Sequence, residues 1–205
     1  MLMRLRLSVL ALACLAVVSC NEIGPEPEVQ SAEFRGLTTP VPVARWDHVP
    51  ASQTWTRATI EALNGPGRSL VETTPADIEN WCPAYGDAPP LQRKAFWVGL
   101  VSALAKHEST WRPDVSGGNG RWHGLLQISP ATARGYGCAA QTADELKNGA
   151  ANLKCAIRIM GVTVPRDGVV SAGGRGVAAD WGPFHQSAKR QDMQSWLRGQ
   201  NYCRG

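Results

Sequence analysis

One glutamate stands where an ionised glutamate is costly. From Leu91 the chain reads LQRKAFWVGLVSALAKHESTWRP, and Trp97, Val101, Leu104, Glu108 and Trp111 recur at spacings of four, three, four and three. That is one face of an α-helix. A carboxylate on an apolar face is rarely left without a partner. Burial raises the pKa of a carboxyl group, and a raised glutamate is what a general acid near neutral pH requires. Taken alone, the residue has a simpler alternative: a helix-end glutamate paired with Lys106 or Arg112. Other chemistries fail on spacing. His107-Glu108 begins like the H-E-x-x-H of zinc peptidases, but the second histidine position is Trp111. Gly117-Gly118-Asn119-Gly120 lacks the lysine and hydroxyl of a phosphate loop. His123 has no partner residues at metal-ligand spacing; it reads as an exposed or structurally satisfied histidine, with contact to substrate the alternative. No metal and no cofactor is expected.

The elements that must position Glu108 read as a mainly α domain. Ser52 is placed to cap a short helix carrying Trp55, Ile60 and Leu63, ended by Asn64-Gly65-Pro66. Thr74-Pro75 predicts a helix from Pro75 to about Trp81, with Asp77 and Glu79 suiting its positive end. The helix bearing Glu108 starts at Pro90 and is expected to be stopped by Pro113. A glycine-rich loop covers Ser116 to Arg121, and Ser129-Pro130 opens a short helix through Ala133 to about Gly135. A long helix is predicted from Thr142 to Met160, with Leu146, Ala150, Leu153, Ile157 and Met160 inward. A loop over Gly173 to Gly176 precedes a last helix from Ala188 to Leu197. No period-two strands and no internal repeat are visible.

Glu108-Ser109, followed some sixteen residues later by Gly124-Leu125-Leu126-Gln127-Ile128-Ser129, resembles the soluble lytic transglycosylase (SLT) domain of the lysozyme-like superfamily. The resemblance spans about Trp97 to Pro183. It implies a lysozyme-like fold of short helices, with Glu108 as the catalytic acid and Ser109 orienting it or the substrate. It further implies that Gly124, Leu125 and Gln127 line the sugar site. Leu126 stands where the family has methionine, and Asn152 in Ala-Ala-Asn-Leu matches the asparagine of a third segment. The fourth segment, Ala-Tyr-Asn in the family, is here Ala179-Asp180-Trp181. Trp181 then replaces the tyrosine as an aromatic against the sugar, with Trp122 a second aromatic.

The activity implied is cleavage of the MurNAc-GlcNAc β-1,4 bond of peptidoglycan with formation of a 1,6-anhydro end. Glycosidases in general use two carboxyl groups. Here the attacking hydroxyl belongs to the substrate, so one suffices. A lysozyme-type hydrolase is the alternative, for which Asp114 and Asp180 are the second carboxylates to watch. A non-catalytic peptidoglycan-binding lipoprotein is the third reading. The expected partner is the glycan strand, and a monomer is expected.

The rest of the chain sets the setting. Arg4 and Arg6, an apolar run from Leu7 to Val18, then Ser19-Cys20 form a secretory leader, residues 1–19. The run is shorter than the ~20 residues of a spanning helix. Val17-Val18-Ser19-Cys20 resembles the lipobox of bacterial lipoproteins, which implies a lipid anchor on Cys20 and a position in the cell envelope. Asn21 after it resembles proteins sorted to the periplasmic face of the outer membrane. Residues 20–45, with Pro25, Pro27, Pro40 and Pro42, read as a tether, and residues 46–205 as the domain. The net charge of +4 falls to +2 without Arg4 and Arg6, too mild for a nucleic-acid binder. Eight tryptophans suit a glycan site, though core packing accounts for most of them. Four cysteines remain in an exported chain, Cys82, Cys138, Cys155 and Cys203, and read as two disulfides. Three pairings are open. Cys138–Cys155, which closes a local loop, with Cys82–Cys203, which ties the start of the core to its end, is the pairing favoured.

Overall fold

The computed structural model describes residues 41–204. The expected leader, Cys20 and the tether up to residue 40 lie outside the described residues. Helices α1 (Ser52–Asn64) and α2 (Arg68–Glu72) come first, then the long α3 (Pro90–Glu108). A two-residue hairpin follows, β1 (Ser116–Gly117) paired antiparallel with β2 (Trp122–His123). Then come α4 (Pro130–Gly135), α5 (Ala143–Leu146), α6 (Gly149–Asp167), α7 (Ser187–Arg198) and α8 (Asn201–Arg204), with short 3-10 segments before α3 and between α6 and α7. The domain is mainly helical, as expected.

Helix α3 is the axis of the core. Every residue from Ala95 to Ala105 is buried, so the helix is enclosed on all sides over its middle. This corrects the expectation of a single inner face: an apolar residue at every position is the signature of a helix packed all round. Helix α7 crosses it at Gly99, where an added Cβ would lie 2.9 Å from Leu197 Cδ2 and would overlap the Tyr202 hydroxyl. Only glycine permits that approach. On the other side, α1 packs along α6. Trp46, Trp81, Trp97, Tyr85 and Phe96 fill the space between, each fully buried. Their polar atoms are satisfied: Trp97 Nε1 donates to the Leu70 carbonyl and to Tyr85 Oη, and Trp46 Nε1 to Thr56 Oγ1.

Local predictions held where local chemistry decides and failed where distant partners intervene. Ser129 caps α4 through Thr132 N–H, and Thr142 with Glu145 forms a capping box on α5. Ser52, by contrast, is the first residue of α1 and makes no capping bond. The helix expected over Pro75–Trp81 is a single 3-10 turn, Ile78–Asn80. Asp77 is drawn away from it: its carboxylate accepts from the N–H groups of Val170, Ser171 and Ala172. The long helix expected from Thr142 to Met160 is broken into α5 and α6, with Asn148 capping the second. Packing begins before Trp46: Ala44 is buried and Arg45 N–H donates to Ser102 Oγ. Both favoured disulfides are present, Cys82–Cys203 spanning 121 residues and Cys138–Cys155 spanning 17.

Candidate active site

Glu108 is the last residue of α3, and the backbone beyond it turns back sharply. Thr110 and Trp111 both take left-handed conformations, φ 52° and 56°, which non-glycine residues adopt at some cost. Pro113 therefore does not stop the helix; it ends five residues earlier, and Trp111 is not part of its face. Trp111 folds back instead, its Nε1 donating to the Ser102 carbonyl. Ser109 is buried and its Oγ donates to the Ala105 carbonyl. Ser109 thus closes the helix, its hydroxyl turned back onto the last turn. Neither simple partner for Glu108 is in place: Lys106 bonds to Asp192, and Arg112 Nε donates to the Ser109 carbonyl.

The Gly-Leu-Leu-Gln segment is a four-residue loop closed by paired backbone hydrogen bonds between His123 and Ile128, both 3.0 Å. Each residue has a separate task. Gly124 sits at φ 81°, and a Cβ there would overlap the Leu146 carbonyl. Leu125 and Leu126 are fully buried and plug the loop into the core. Gln127 is left facing outward at φ 47°, a strained position for a residue with a side chain. Its Nε2 donates to the carbonyls of Gly124 (2.8 Å) and Val115 (3.3 Å). Asn152, fully buried on α6, fills the inside of the loop. Its Oδ1 accepts from Leu126 N–H, and its Nδ2 donates to the carbonyls of His123 and Leu146. The break between α5 and α6 is what frees the Leu146 carbonyl. His123 is buried, with Nδ1 2.8 Å from Ser116 Oγ, a structural histidine as expected. Gly124 and Leu125 thus shape the site from behind and do not line it.

What Glu108 and Gln127 share is a cleft of about 390 Å³, lined also by His107, Trp122, Asp180, Trp181, Gln186 and Lys189. Burial pushes the Glu108 carboxyl up from 4.5 to about 7, against the opposing pull of Lys189 across the cleft. Asp180 stands in the same cleft, and its carboxyl is raised by partial burial, with Arg166 and Tyr136 drawing it back. Asp114 is exposed and does not line the cleft. Trp181 forms cleft wall but is buried at 4 % exposure, its Nε1 donating to the Leu126 carbonyl, so it offers no open face for stacking. Trp122, 41 % exposed on the rim with the Arg121 guanidinium over its ring, is the open aromatic surface. Trp46, Trp55, Trp81 and Trp97 are core, and the sequence offered no signal for Gln186 or Lys189. A larger cavity, about 640 Å³, lies between α1, α2 and the start of α3. Its cations are occupied, Arg93 by the Val71, Gly86 and Ala88 carbonyls, Lys94 by Asn64 and Arg68 by Glu72. Among the described residues no cluster of histidine, cysteine or carboxylate side chains could hold a metal ion.

A half-buried glutamate at a helix end, facing an amide-bearing loop across an open cleft, on a small helical scaffold, is the arrangement of the lysozyme-like superfamily. The sequence profile of the transglycosylase SLT domain matches residues 90–166, which run from the start of α3 almost to the end of α6. The likeness to the family lies in this segment, on a mainly helical, lysozyme-like fold. Among solved structures it is similar to Bd0314 DslA. A wild-type form matches with a TM-score of 0.73 and 28 % identity, and a glutamate-to-glutamine variant with 0.74 and 28 %. Each match covers 80 % of this chain and 100 % of that one. No curated protein sequence matches it. An SLT domain supports action on peptidoglycan of the lytic transglycosylase type.

Proposed function

We propose that this chain is a peptidoglycan lytic transglycosylase that cleaves the MurNAc-GlcNAc β-1,4 bond and leaves a 1,6-anhydro-MurNAc end. The observation that carries the reading is Glu108: a carboxyl raised to about 7 by burial, open to the cleft, with no hydrogen-bond partner among the described residues. Such a group holds its proton near neutral pH and can give it to the leaving glycosidic oxygen. The resulting carboxylate then takes the proton of the C6 hydroxyl of the same muramic residue, whose oxygen closes on the anomeric carbon. The nucleophile is intramolecular, so the high effective concentration of a tethered group replaces a second carboxylate. Gln127 and Trp122 are the residues that hold the strand, Gln127 by its carbonyl oxygen and Trp122 by stacking. The lipobox-like Val17-Val18-Ser19-Cys20 supports a lipid-anchored position in the cell envelope.

One observation favours a second reading. Asp180 shares the cleft with Glu108, and a second carboxylate that activates water would make the chain a lysozyme-type hydrolase. The experiment is mass spectrometry of muropeptides released from purified sacculi by the chain and by Glu108→Gln. Anhydro ends from the wild type alone are the expected outcome. Reducing ends from the wild type alone would make it a hydrolase and send attention to Asp180. No release by either, with sacculi still bound, would leave a binding protein and overturn both readings.

A further inference from the structure

The cleft that holds Glu108 also holds an uncommitted cation. Lys189 lines it, half-buried, and among the described residues makes no ion pair and no hydrogen bond. The other basic side chains around the cleft are engaged. Lys106 and Arg45 pair with Asp192, and Arg166 with Asp167. Arg112 donates to the Ser109 carbonyl and Arg190 to that of Phe184. Arg121 donates to the Gly118 carbonyl and lies over the Trp122 ring. The place is also a costly one for a lysine. It lies in the first turn of α7, where the helix end already carries partial positive charge, and no acidic side chain stands in that turn. No contact in the fold accounts for the residue. What it shares the cleft with is Glu108, a group that is neutral at rest and becomes negative as it reacts.

We infer that Lys189 is a positioning residue for the reaction: its ammonium is the counter-charge for the Glu108 carboxylate that exists between the two proton transfers. The inference rests on Glu108 acting as the proton donor. In the first transfer the Glu108 O–H bond breaks and the proton goes to the glycosidic oxygen, which leaves with the electron pair of its bond to the anomeric carbon. Glu108 is then an ion in a half-buried place with no donor bonded to it, the state that burial disfavours. Lys189 offsets that cost from across the cleft. In the second transfer the carboxylate takes the C6 hydroxyl proton and is neutral again. The stand-off between the two groups matters. At rest they form no ion pair, so burial outweighs the pull of Lys189 and the proton stays on Glu108; a cation in contact would hold the group ionised and leave no acid. The other charged groups of the neighbouring elements are turned elsewhere. His107 lines the cleft but is bonded to Asp192 and held below its ordinary value by burial, so it is neutral near neutral pH. Asp192 is shared by Arg45, Lys106 and His107. Asp180 is drawn on by Arg166 and the Tyr136 hydroxyl. His48 packs edge-on against Trp111, and Asp114 is exposed outside the cleft.

The test joins an NMR titration of the Glu108 side-chain carboxyl, with Glu108→Gln assigning the signal, to the pH profile of sacculus cleavage. Lys189→Met and Lys189→Gln should each raise the midpoint by about half to one pH unit, the size expected of one charge across a solvated cleft. Lys189→Arg should stay at the wild-type position, and the shifts should shrink in high salt. The alkaline limb of cleavage should move up with the midpoint. Below both midpoints, turnover at saturating sacculi should fall by up to roughly tenfold, the factor that one pH unit represents. Binding separates this role from a grip on the substrate: in the Glu108→Gln background, Lys189→Met should bind sacculi as tightly as Glu108→Gln alone. Binding lost there would make Lys189 a contact to the strand and overturn the inference. So would midpoints unmoved in both Lys189→Met and Lys189→Gln with melting transitions retained; if one of the two does not fold, the other decides. A wild type that leaves sacculi uncut would sink the transglycosylase reading, while the titration would still decide whether Lys189 is the counter-charge of Glu108.

Discussion

Replacing Glu108 with glutamine should stabilise this protein, and only at high pH. Glutamine has the shape of the protonated glutamic acid, so the substitution removes the charge and little else. Burial raises the folded-state value from 4.5 to about 7. A carboxyl group whose folded value lies above its unfolded one favours folding less as it ionises. Below about pH 4 both states carry the proton and the variant should match the wild type. As the pH rises from 4.5 towards 7 the unfolded chain loses its proton first, and the wild type falls behind. Above about 7 the penalty is complete. The gap corresponds to roughly 3 kcal/mol, at 1.4 kcal/mol for each tenfold difference in proton affinity. Urea unfolding at pH 4 and pH 8.5, with the disulfides intact, measures it. The gain of Glu108→Gln over wild type should be near zero at pH 4 and approach that value at pH 8.5, while cleavage of sacculi is lost at both. Equal gains at the two pH values, within about 0.5 kcal/mol, would mean that Glu108 is not held protonated by burial. The acid role would then lose its physical basis.

Two further outcomes follow from the same structure. Asn152→Ala leaves the Leu126 N–H and the Leu146 carbonyl buried without partners, and each unmet group costs ~1–3 kcal/mol. A loss of about 2–5 kcal/mol in urea unfolding is expected, together with loss of activity, because the loop that carries Gln127 is held from inside by this side chain. Asn152→Asp should do no better, since an acceptor would then face two carbonyl oxygens. Removing Cys82–Cys203 by paired serine substitution should cost more than removing Cys138–Cys155. The loops of 121 and 17 residues correspond to about 5 and about 3 kcal/mol in the chain-entropy account. Chemical unfolding of the two double variants ranks them, and the reverse order would show that the short loop contributes native packing beyond closure.

Much of this protein is written in local sequence. Pro90 and the largely apolar run from Ala95 mark the start and the buried middle of α3, though not its last residue. Ser129-Pro130 and the Thr142–Glu145 box start helices because a capping side chain needs only neighbours three residues away. Four cysteines limit the disulfide pairings to three by count alone. What the sequence does not contain is which polar groups meet across it. Asp77, well placed to open a helix, is taken by three N–H groups more than ninety residues away. Leu125 reads as part of a sugar-binding motif and turns out to be core, because the loop it belongs to folds around Asn152. Trp181 and Trp122 are the same residue type, yet one is cleft wall and the other an open rim. Glu108 itself is the clearest case: its apolar surroundings are visible in the periodicity of α3. The cation that does act on it, Lys189, comes from α7 and reaches the cleft only once that helix has packed. Helix periods and caps depend on contacts within one or two turns and can be read along the chain. Burial, charge partners and cleft walls depend on contacts between residues tens of positions apart, and those exist only once the helices have packed.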